Sequence, residues 1–266
     1  YNGGAHQSLN SFLKALRRAV EDQTSDSFGE QNLRSFLNLL VVLTQDYDTA
    51  LMNPPYGSGG RMPDNVQAYV EQRYKYTPEY YINFLEVCNR IAKPNGRVGM
   101  IVQRSFMYKK SFEDFRGDFI GDEGGFDFLA EFGNDVLDNA TVRTAGTIVR
   151  VTGTDRSSGN RTKDDKRGVF FRLHDLDASE KEEGFLLAAF QEEKMDDVAR
   201  KFVKNLSEFS IIPGSPLSYW VPENLRSLYE SNTVFDADNA GLDKNSVGVV
   251  KEGLTSGNNA RFLRKF

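Results

Sequence analysis

The residues best suited to chemistry in this sequence are the four at 53–56, which read Asn-Pro-Pro-Tyr. Proline has no backbone N–H and a restricted φ angle, so two prolines in a row form a stiff turn that presents carbonyl oxygens. The side-chain oxygen of Asn53 and the carbonyl oxygen of Pro54 can therefore both accept hydrogen bonds from one planar nitrogen. Two such acceptors stabilise the positive charge that develops when a delocalised, weakly nucleophilic nitrogen is alkylated. The motif indicates group transfer to such a nitrogen, and Tyr56 offers a flat face for a planar substrate.

Two kinds of nitrogen fit this arrangement, the exocyclic N6 amine of adenine and the side-chain amide of glutamine in a protein. The N6 amine is buried in a duplex, so the base would have to be flipped out, and the ring of Tyr56 would recover part of the lost stacking. A third interpretation is a non-catalytic scaffold or DNA-specificity protein, in which the four residues simply end a strand. The motif alone leaves these three alternatives open.

The elements around the motif predict its place in a fold. Residues 47–52 (YDTALM) are typical of a short buried strand, and the motif follows at its carboxyl end. Helical periodicity covers 64–75 and 79–93, and a second apolar run at 98–102 follows the turn Pro94-Asn95-Gly96. Two buried strands joined by helices predict a parallel pair, and open α/β sheets bind ligands at the carboxyl ends of such strands.

The rest of the pattern is also mixed α/β. Helices are predicted at 8–22, 30–43, about 111–117 and from the acidic stretch 175–183 to about 205, strands at 126–131, 144–152 and 169–173, and a polar loop at 153–168. Proline and glycine residues between 213 and 222 then interrupt the pattern. We expect a domain boundary between 175 and 210.

The composition is that of a globular protein, with 39% apolar and 27% charged residues among 266. No apolar run is long enough to span a membrane, and no signal-peptide pattern begins the sequence. The single cysteine, Cys88, can form no internal disulfide, and His6 and His174 are far apart, so no metal site is predicted. These features predict a cytoplasmic protein with no membrane partner.

The net charge of −5 argues mildly against binding nucleic acid, because phosphate contacts need lysine and arginine. A local basic face is compatible with that average. Arg104, Lys109 and Lys110 follow the strand predicted at 98–102 and are candidates for phosphate contacts. The alternative is a solvated loop.

Several segments carry a family resemblance. Asn-Pro-Pro-Tyr resembles motif IV of the amino-methyltransferases that act on adenine N6. Later segments resemble, in the same order, the adenine methyltransferases of BREX-type phage-defence systems: 93–107 (KPNGRVGMIVQRSFM), 111–116 (SFEDFR), 142–145 (VRTA), 212–220 (IPGSPLSYW) and 253–264 (GLTSGNNARFLR). The recognition-like segment at 253–264 and the long connector before it favour DNA over a glutamine substrate.

The resemblance implies a site, a cofactor and partners. It implies S-adenosylmethionine as methyl donor, and as partners a double-stranded DNA with a flipped adenine and other phage-defence proteins. The implied catalytic residues are Asn53, Pro54, Pro55 and Tyr56, of which Asn53 and Pro54 also contact the cofactor. The implied DNA-binding residues are Arg104, Ser105, Phe106, Lys109, Lys110 and Thr144.

The sequence also departs from the family pattern. A cofactor site of this class uses a glycine-rich loop after the first strand and an acidic residue after the second. Upstream of Asn53 neither feature is present after a strand. We therefore expect an internal fragment that would bind the cofactor weakly and be inactive alone. It would comprise part of a Rossmann-like methyltransferase sheet at 1–175, and a mainly helical connector with the start of a target-recognition region at 176–266.

Overall fold

The computed structural model describes residues 3–21, 28–57, 62–77, 79–120, 124–137, 142–151, 166–191 and 198–231. The chain divides into two compact units. The larger comprises Tyr1–Ser210 and Gly214–Trp220, and the smaller comprises Ile211–Pro213 and Val221–Phe266. The polar loop predicted at 153–168 lies mostly outside the described residues, and so does the recognition-like segment at 253–264.

Helices and strands alternate through the larger unit. Its described helices are α1 (Gly3–Glu21), α2 (Phe28–Leu43), α3 (Asp64–Arg73), α4 (Tyr80–Ile91), α5 (Glu113–Ile120) and α6 (Lys181–Leu186). Its described strands are β1 (Tyr47–Met52), β2 (Ala92–Gln103), β3 (Gly124–Gly133), β4 (Thr144–Val151), β5 (Arg167–Arg172) and β6 (Lys201–Asn205). Short 3₁₀ turns span Arg104–Met107 and Lys110–Phe112, a π-helical turn spans Leu187–Gln191, and a 3₁₀ segment spans Leu206–Ile211.

Six strands form one sheet in the order β1-β2-β4-β3-β5-β6. β1 and β2 are parallel, with Met52 opposite Met100, and α3 and α4 connect them as the predicted βαβ unit. β4 lies antiparallel between β2 and β3. β5 is parallel to β3, and β6 is antiparallel to β5. The prediction of an α/β fold built on a parallel pair is confirmed.

The turn predicted at Pro94-Asn95-Gly96 is an insertion within β2. Tyr47 of β1 lies opposite Ala92, whereas Thr49 lies opposite Arg97, so the intervening residues of β2 bulge out of register. Asn95 has a φ of 64°, in the left-handed region that asparagine tolerates better than most residues. The bulge thus absorbs the predicted turn without ending the strand.

Both faces of the sheet are covered at β3 and β5. Phe170 and Phe171 are neighbours in β5 and point to opposite faces. Phe170 stacks on Tyr219 with ring centroids 5.2 Å apart, and Phe171 packs against Phe185 of α6 at 5.0 Å. The larger core on the Phe170 side includes the fully buried aromatic residues Tyr81, Phe106, Phe112, Phe115, Phe119, Phe126 and Phe209.

Helices α1 and α2 pack against each other. Leu13, Leu37 and Val41 form their buried contact, and the side-chain amide of Asn10 donates to the hydroxyl of Thr44 at 3.1 Å. The helix predictions at 8–22 and 30–43 are confirmed, with α1 beginning earlier than expected.

The helix predicted to run to about 205 is wrong in its later part. The described helical structure extends to Gln191, residues 192–197 lie outside the described part, and 201–205 form β6. Phe202 packs on Tyr219 at 5.3 Å while Val203 remains 53% exposed, which is the two-faced alternation of a strand. Pairing with β5 decides the conformation of this short segment, so part of the predicted helical connector is a strand of the sheet.

The smaller unit contains, in its described part, two short helices, α7 (Glu223–Arg226) and α8 (Leu228–Ser231). Arg226 is 1% exposed and donates from Nη2 to the carbonyl of Val221 at 2.9 Å. Across the described residues, no helix combines the length and the apolar character needed to cross a membrane.

Candidate active site

The Asn-Pro-Pro-Tyr motif lies where the sequence predicts it, directly after β1. Because β1 and β2 are parallel, the motif and the residues that follow Gln103 emerge at the same edge of the sheet. Asn53 and Pro55 are exposed and Pro54 is buried. The amide of Asn53 is therefore accessible from solvent at the carboxyl edge of the parallel pair.

Tyr56 lies against the neighbouring strand. Its hydroxyl is 3.5 Å from the carbonyl oxygen of Ile101 in β2, at the outer limit of a hydrogen bond, and 37% of its surface is exposed. Partial burial raises the pKa of this phenol. The ring is thus partly accessible and only loosely held by its hydroxyl.

Gly57 joins the motif to helix α4. Its carbonyl accepts a hydrogen bond from the backbone N–H of Tyr80 at 3.0 Å. A Cβ at position 57 would lie 2.7 Å from the Tyr80 ring, closer than real side chains approach. A side chain at this position would force the Tyr80 ring to move, so glycine suits the close approach between the end of the motif and the start of α4.

A buried tyrosine supports the site from below. Tyr81 is fully buried and stacks on Phe112 with ring centroids 5.8 Å apart. Burial raises the pKa of its hydroxyl, and the nearby Ser105 hydroxyl partly offsets this effect. Ser105 is only 3% exposed, so it packs beneath the site and offers little surface to a ligand.

A cavity of about 440 Å³ opens beyond the end of β2. We call it the strand-end cavity, and it is lined by Gln103, Arg104, Ser105, Tyr108, Asn134, Val142 and Arg143. Its walls come from the 3₁₀ turn after β2 and from the facing ends of β3 and β4. Two guanidinium groups and two side-chain amides make this lining polar.

Arg104 belongs to a buried network beneath that cavity. Its Nη1 donates to Oε1 of Glu131, and the hydroxyl of Tyr219 donates to Oε2 of the same carboxylate at 2.8 Å. Glu131 is 2% exposed and the side chain of Arg104 is 15% exposed. Burial and the charge of Glu131 raise the pKa of Tyr219. Because removing one partner would leave a buried charge uncompensated, this network holds the shape of the site.

Arg116 connects two loops near the site. It is 1% exposed and makes five hydrogen bonds, all to backbone carbonyls: those of Phe106, Lys109, Gly214 and Ser215. Burial lowers the pKa of this guanidinium. Gly214 and Ser215 both have positive φ angles, of 78° and 46°. Arg116 therefore acts as a clamp that holds this turn, which is strained at Ser215, against the loop that follows β2.

The six residues predicted to bind DNA have different environments. Lys109 and Lys110 are exposed, and Arg104 lines the strand-end cavity. Phe106 and Thr144 have no exposed surface, since Phe106 stacks on Phe126 in the core and the Thr144 hydroxyl donates to the carbonyl of Gly133. The expectation of direct DNA contact by Phe106 and Thr144 is corrected: they support the site from within.

Sequence reasoning missed several residues of this region. Glu131, Arg116, Arg172 and Trp220 were not singled out individually. A charged residue within an apolar strand is a usable signal, because charges are rarely buried unless paired, and Glu131 lies in such a strand (FDFLAEFG, 126–133). Nothing comparable marks Arg116, whose partners lie up to 99 residues away along the chain.

Parts of the chain are similar to known methyltransferases. The family model of the Eco57I restriction-modification methylase matches residues 6–135. The adenine-specific methyltransferase PglX of Lacticaseibacillus casei is 26% identical over 246 residues, which are 92% of this chain and 19% of that protein. The adenine-specific methyltransferase BrxX of Escherichia coli is 26% identical over 217 residues, 80% of this chain and 16% of that protein.

The chain resembles the adenine-specific methyltransferases. This confirms the resemblance expected from its motifs, although the chain spans less than a fifth of the length of these two relatives. A solved methyltransferase subunit of a type I restriction-modification system from Streptococcus thermophilus is 14% identical, with a TM-score of 0.46 over 66% of this chain and 38% of that one.

Proposed function

We propose that this chain contributes the part of the active site that binds the target adenine in an adenine-specific DNA methyltransferase. One observation carries the proposal: Asn53-Pro54-Pro55-Tyr56 follows β1 at the carboxyl edge of a parallel pair, with the amide of Asn53 exposed. Similarity to two adenine-specific methyltransferases supports adenine as the target.

In this proposal, Asn53 and Pro54 orient the target amine. The side-chain oxygen of Asn53 and the carbonyl oxygen of Pro54 accept the two hydrogens of N6, which favours a pyramidal amine with its lone pair directed at the methyl group. The same acceptors stabilise the positive charge that grows on N6 during transfer. Tyr56 stacks on the flipped base through its partly exposed ring.

S-adenosylmethionine is the proposed cofactor, and it would supply an electrophilic methyl group. The fit rests on the donor set: Asn53 is an exposed amide beside a buried proline at the end of a parallel strand, where α/β sheets bind such ligands. Asn53 and Pro54 would contact the reacting end of the cofactor and hold the amine in line with it, so that proximity lowers the barrier.

The strand-end cavity, at the same edge of the sheet as the motif, is the proposed receptor for the phosphate that belongs to the flipped nucleotide. Its volume of about 440 Å³ lies within the range of small-ligand sites. Arg104 and Arg143 line it, and Lys109 and Lys110 are exposed on the adjoining loop, where they would contact phosphates. A role in a restriction-modification or BREX-type defence system, with other defence proteins as partners, is part of the same proposal.

A methyl-transfer assay on the full-length protein tests the proposal. Tritiated S-adenosylmethionine would be offered with duplex DNA or with a glutamine-containing peptide. Label should enter DNA at adenine N6, and Asn53→Ala should abolish most of it. Label in the peptide, or wild-type DNA methylation by Asn53→Ala, would contradict it.

A further inference from the structure

A second cavity, of about 330 Å³, adjoins the strand-end cavity and shares Arg104 and Tyr108 with it. We call it the Trp220 cavity. It lies between the loop after β2, the end of β5 and the segment 216–220, and its other chemically relevant lining residues are Arg172, His174, Ser218 and Trp220.

The Trp220 cavity carries an uncompensated positive charge. Glu131 also lines it, but both oxygens of this carboxylate are engaged, one by Arg104 and one by Tyr219. Arg172 forms no ion pair with a carboxylate of the described residues, and its Nε donates to Nε2 of His174 at 3.0 Å. The charge of Arg104 is therefore balanced and that of Arg172 is not, so the cavity favours an anion.

Exposed aromatic rings border the same charge. Trp220 is 39% exposed and Tyr108 is 50% exposed, although large aromatic side chains are usually well buried. The guanidinium carbon of Arg172 lies 5.7 Å from the Trp220 ring centroid. A cation beside an accessible aromatic face is the combination that binds a phosphate together with a stacked base.

The hydroxyl of Ser218 is a further polar group on this wall. Ser218 is only 7% exposed, it lines the cavity, and its oxygen has no hydrogen-bond partner among the described residues. A buried polar group without a partner is rare in folded proteins and is explained when a ligand satisfies it.

The wall that carries Ser218 and Trp220 is held in place before any ligand arrives. Arg116 ties the backbone at 214 and 215 to the loop after β2, and the N–H of Leu217 donates to the carbonyl of Met107 at 2.8 Å. A preorganised wall binds a ligand without an ordering cost.

We infer that the Trp220 cavity binds a nucleotide of the DNA next to the flipped adenine, with its phosphate on Arg172 and its base on Trp220. The inference rests on the proposed function. Because the two cavities share Arg104 and Tyr108, neighbouring nucleotides of one strand can occupy both. The cavity would thereby hold the strand open beside the target base.

The test measures DNA affinity of the full-length protein by fluorescence anisotropy, on a duplex that the protein methylates. Trp220→Ala should weaken binding about tenfold, because one stacked base is lost, and Trp220→Phe should keep most of the affinity. Arg172→Gln should weaken binding and lower the slope of log affinity against log salt by about 0.9, the value for one phosphate contact.

Two matched controls separate this effect from general loss of charge or aromatic surface. Tyr69 is an exposed aromatic residue on α3 and Arg97 is a partly exposed arginine in β2 that pairs with Asp127. Tyr69→Ala and Arg97→Gln should bind DNA like the wild type. Equal losses in the controls and the cavity variants would overturn the inference.

Duplexes that lack a single base locate the nucleotide. Removing the base that stacks on Trp220 should weaken binding by the wild type and leave binding by Trp220→Ala unchanged, so the two changes should not add. Additive losses at every position would refute the stacking contact. Binding of a free mononucleotide that Trp220→Ala abolishes, with DNA affinity unchanged, would also overturn the assignment to DNA.

Failure of the inference and failure of the proposed function give different results. If the wild type methylates DNA while Trp220→Ala and Arg172→Gln keep wild-type affinity, the inference alone is wrong. If the wild type transfers no methyl group to DNA, the proposed function is wrong and the inference falls with it.

Discussion

The Asn-Pro-Pro-Tyr turn and the network around Arg104 occupy the same edge of one sheet, yet they are held in different ways. Asn53 is exposed, the Tyr56 hydroxyl is 3.5 Å from its nearest acceptor, and Leu51, just before the turn, is 80% exposed. Glu131 and Arg116, in contrast, are 2% and 1% exposed and have several hydrogen-bond partners.

This difference distinguishes the residues proposed to act on the substrate from those that hold the site in shape. The residues proposed to contact the target amine contribute few contacts to the fold, so substituting them should change turnover and leave stability nearly intact. The residues of the network, and Arg116 beside it, hold distant parts of the chain together, so substituting them should change structure first and activity as a consequence. The following experiments test that separation, beginning with the largest expected effect.

Arg116→Met should be the most damaging substitution. It removes five hydrogen bonds to the carbonyls of two loops, and at a net value of about 1 kcal/mol each their loss should cost about 3–5 kcal/mol in local stability. Hydrogen exchange of the full-length protein should show faster exchange at 104–110 and 214–220. Unchanged protection of both segments would show that the clamp contributes little.

Asn53→Ala should affect only turnover. Loss of one preorganised acceptor typically costs about 2.7–4 kcal/mol in the transition state, which corresponds to a 10²–10³-fold fall in kcat. Since Asn53 is exposed, the melting temperature and DNA affinity should stay near wild type. A fall in melting temperature comparable to that of Arg116→Met would remove the distinction between the two regions.

Because Tyr219 is buried, we expect the stability of the fold to fall at alkaline pH. Burial and Glu131 raise the pKa of Tyr219 above its ordinary value of 10.0, so the folded state keeps this proton where the unfolded state loses it. Its contribution to the free energy of unfolding is fully present below pH 10. This contribution is lost as the pH rises above that value, by up to about 1.4 kcal/mol per pH unit.

Thermal unfolding between pH 8 and 11 measures this dependence. Tyr219→Phe should have a shallower decline above pH 10 than the wild type, because phenylalanine has no proton to lose. Tyr229→Phe, an exposed tyrosine in α8, is the control and should follow the wild type. Identical curves for the wild type and Tyr219→Phe would falsify the role of this buried hydroxyl.

Tyr56→Phe should have the smallest effect. The hydroxyl is at the limit of hydrogen-bond distance from Ile101, so removing it should cost less than about 1 kcal/mol in DNA affinity or in the transition state. Tyr56→Ala removes the ring and should cost about 1–3 kcal/mol of stacking. If the two variants were equally impaired in the methylation assay, the hydroxyl and not the ring would matter.

Part of this structure could be predicted from local patterns. The apolar run of β1, the proline turn after it, helix α4 and the strand after Pro94-Asn95-Gly96 each depend on a few neighbouring residues. Periodicity and turn chemistry act over such short distances, so the parallel pair and the place of Asn53 and Tyr56 could be predicted. The same reasoning was wrong for 201–205, where the short segment KFVKN takes its conformation from pairing with β5.

The sequence by itself determined the residue types proposed for methyl transfer and the strand that presents them, because both depend on adjacent residues. Only the tertiary structure decided that β4 lies between β2 and β3, that Glu131 binds both Arg104 and Tyr219, the latter 88 residues away along the chain, and that Phe106 and Thr144 are buried. These features depend on which distant segments pack together. Burial of a charge or an aromatic ring is a property of the whole assembled core, and no local pattern specifies it.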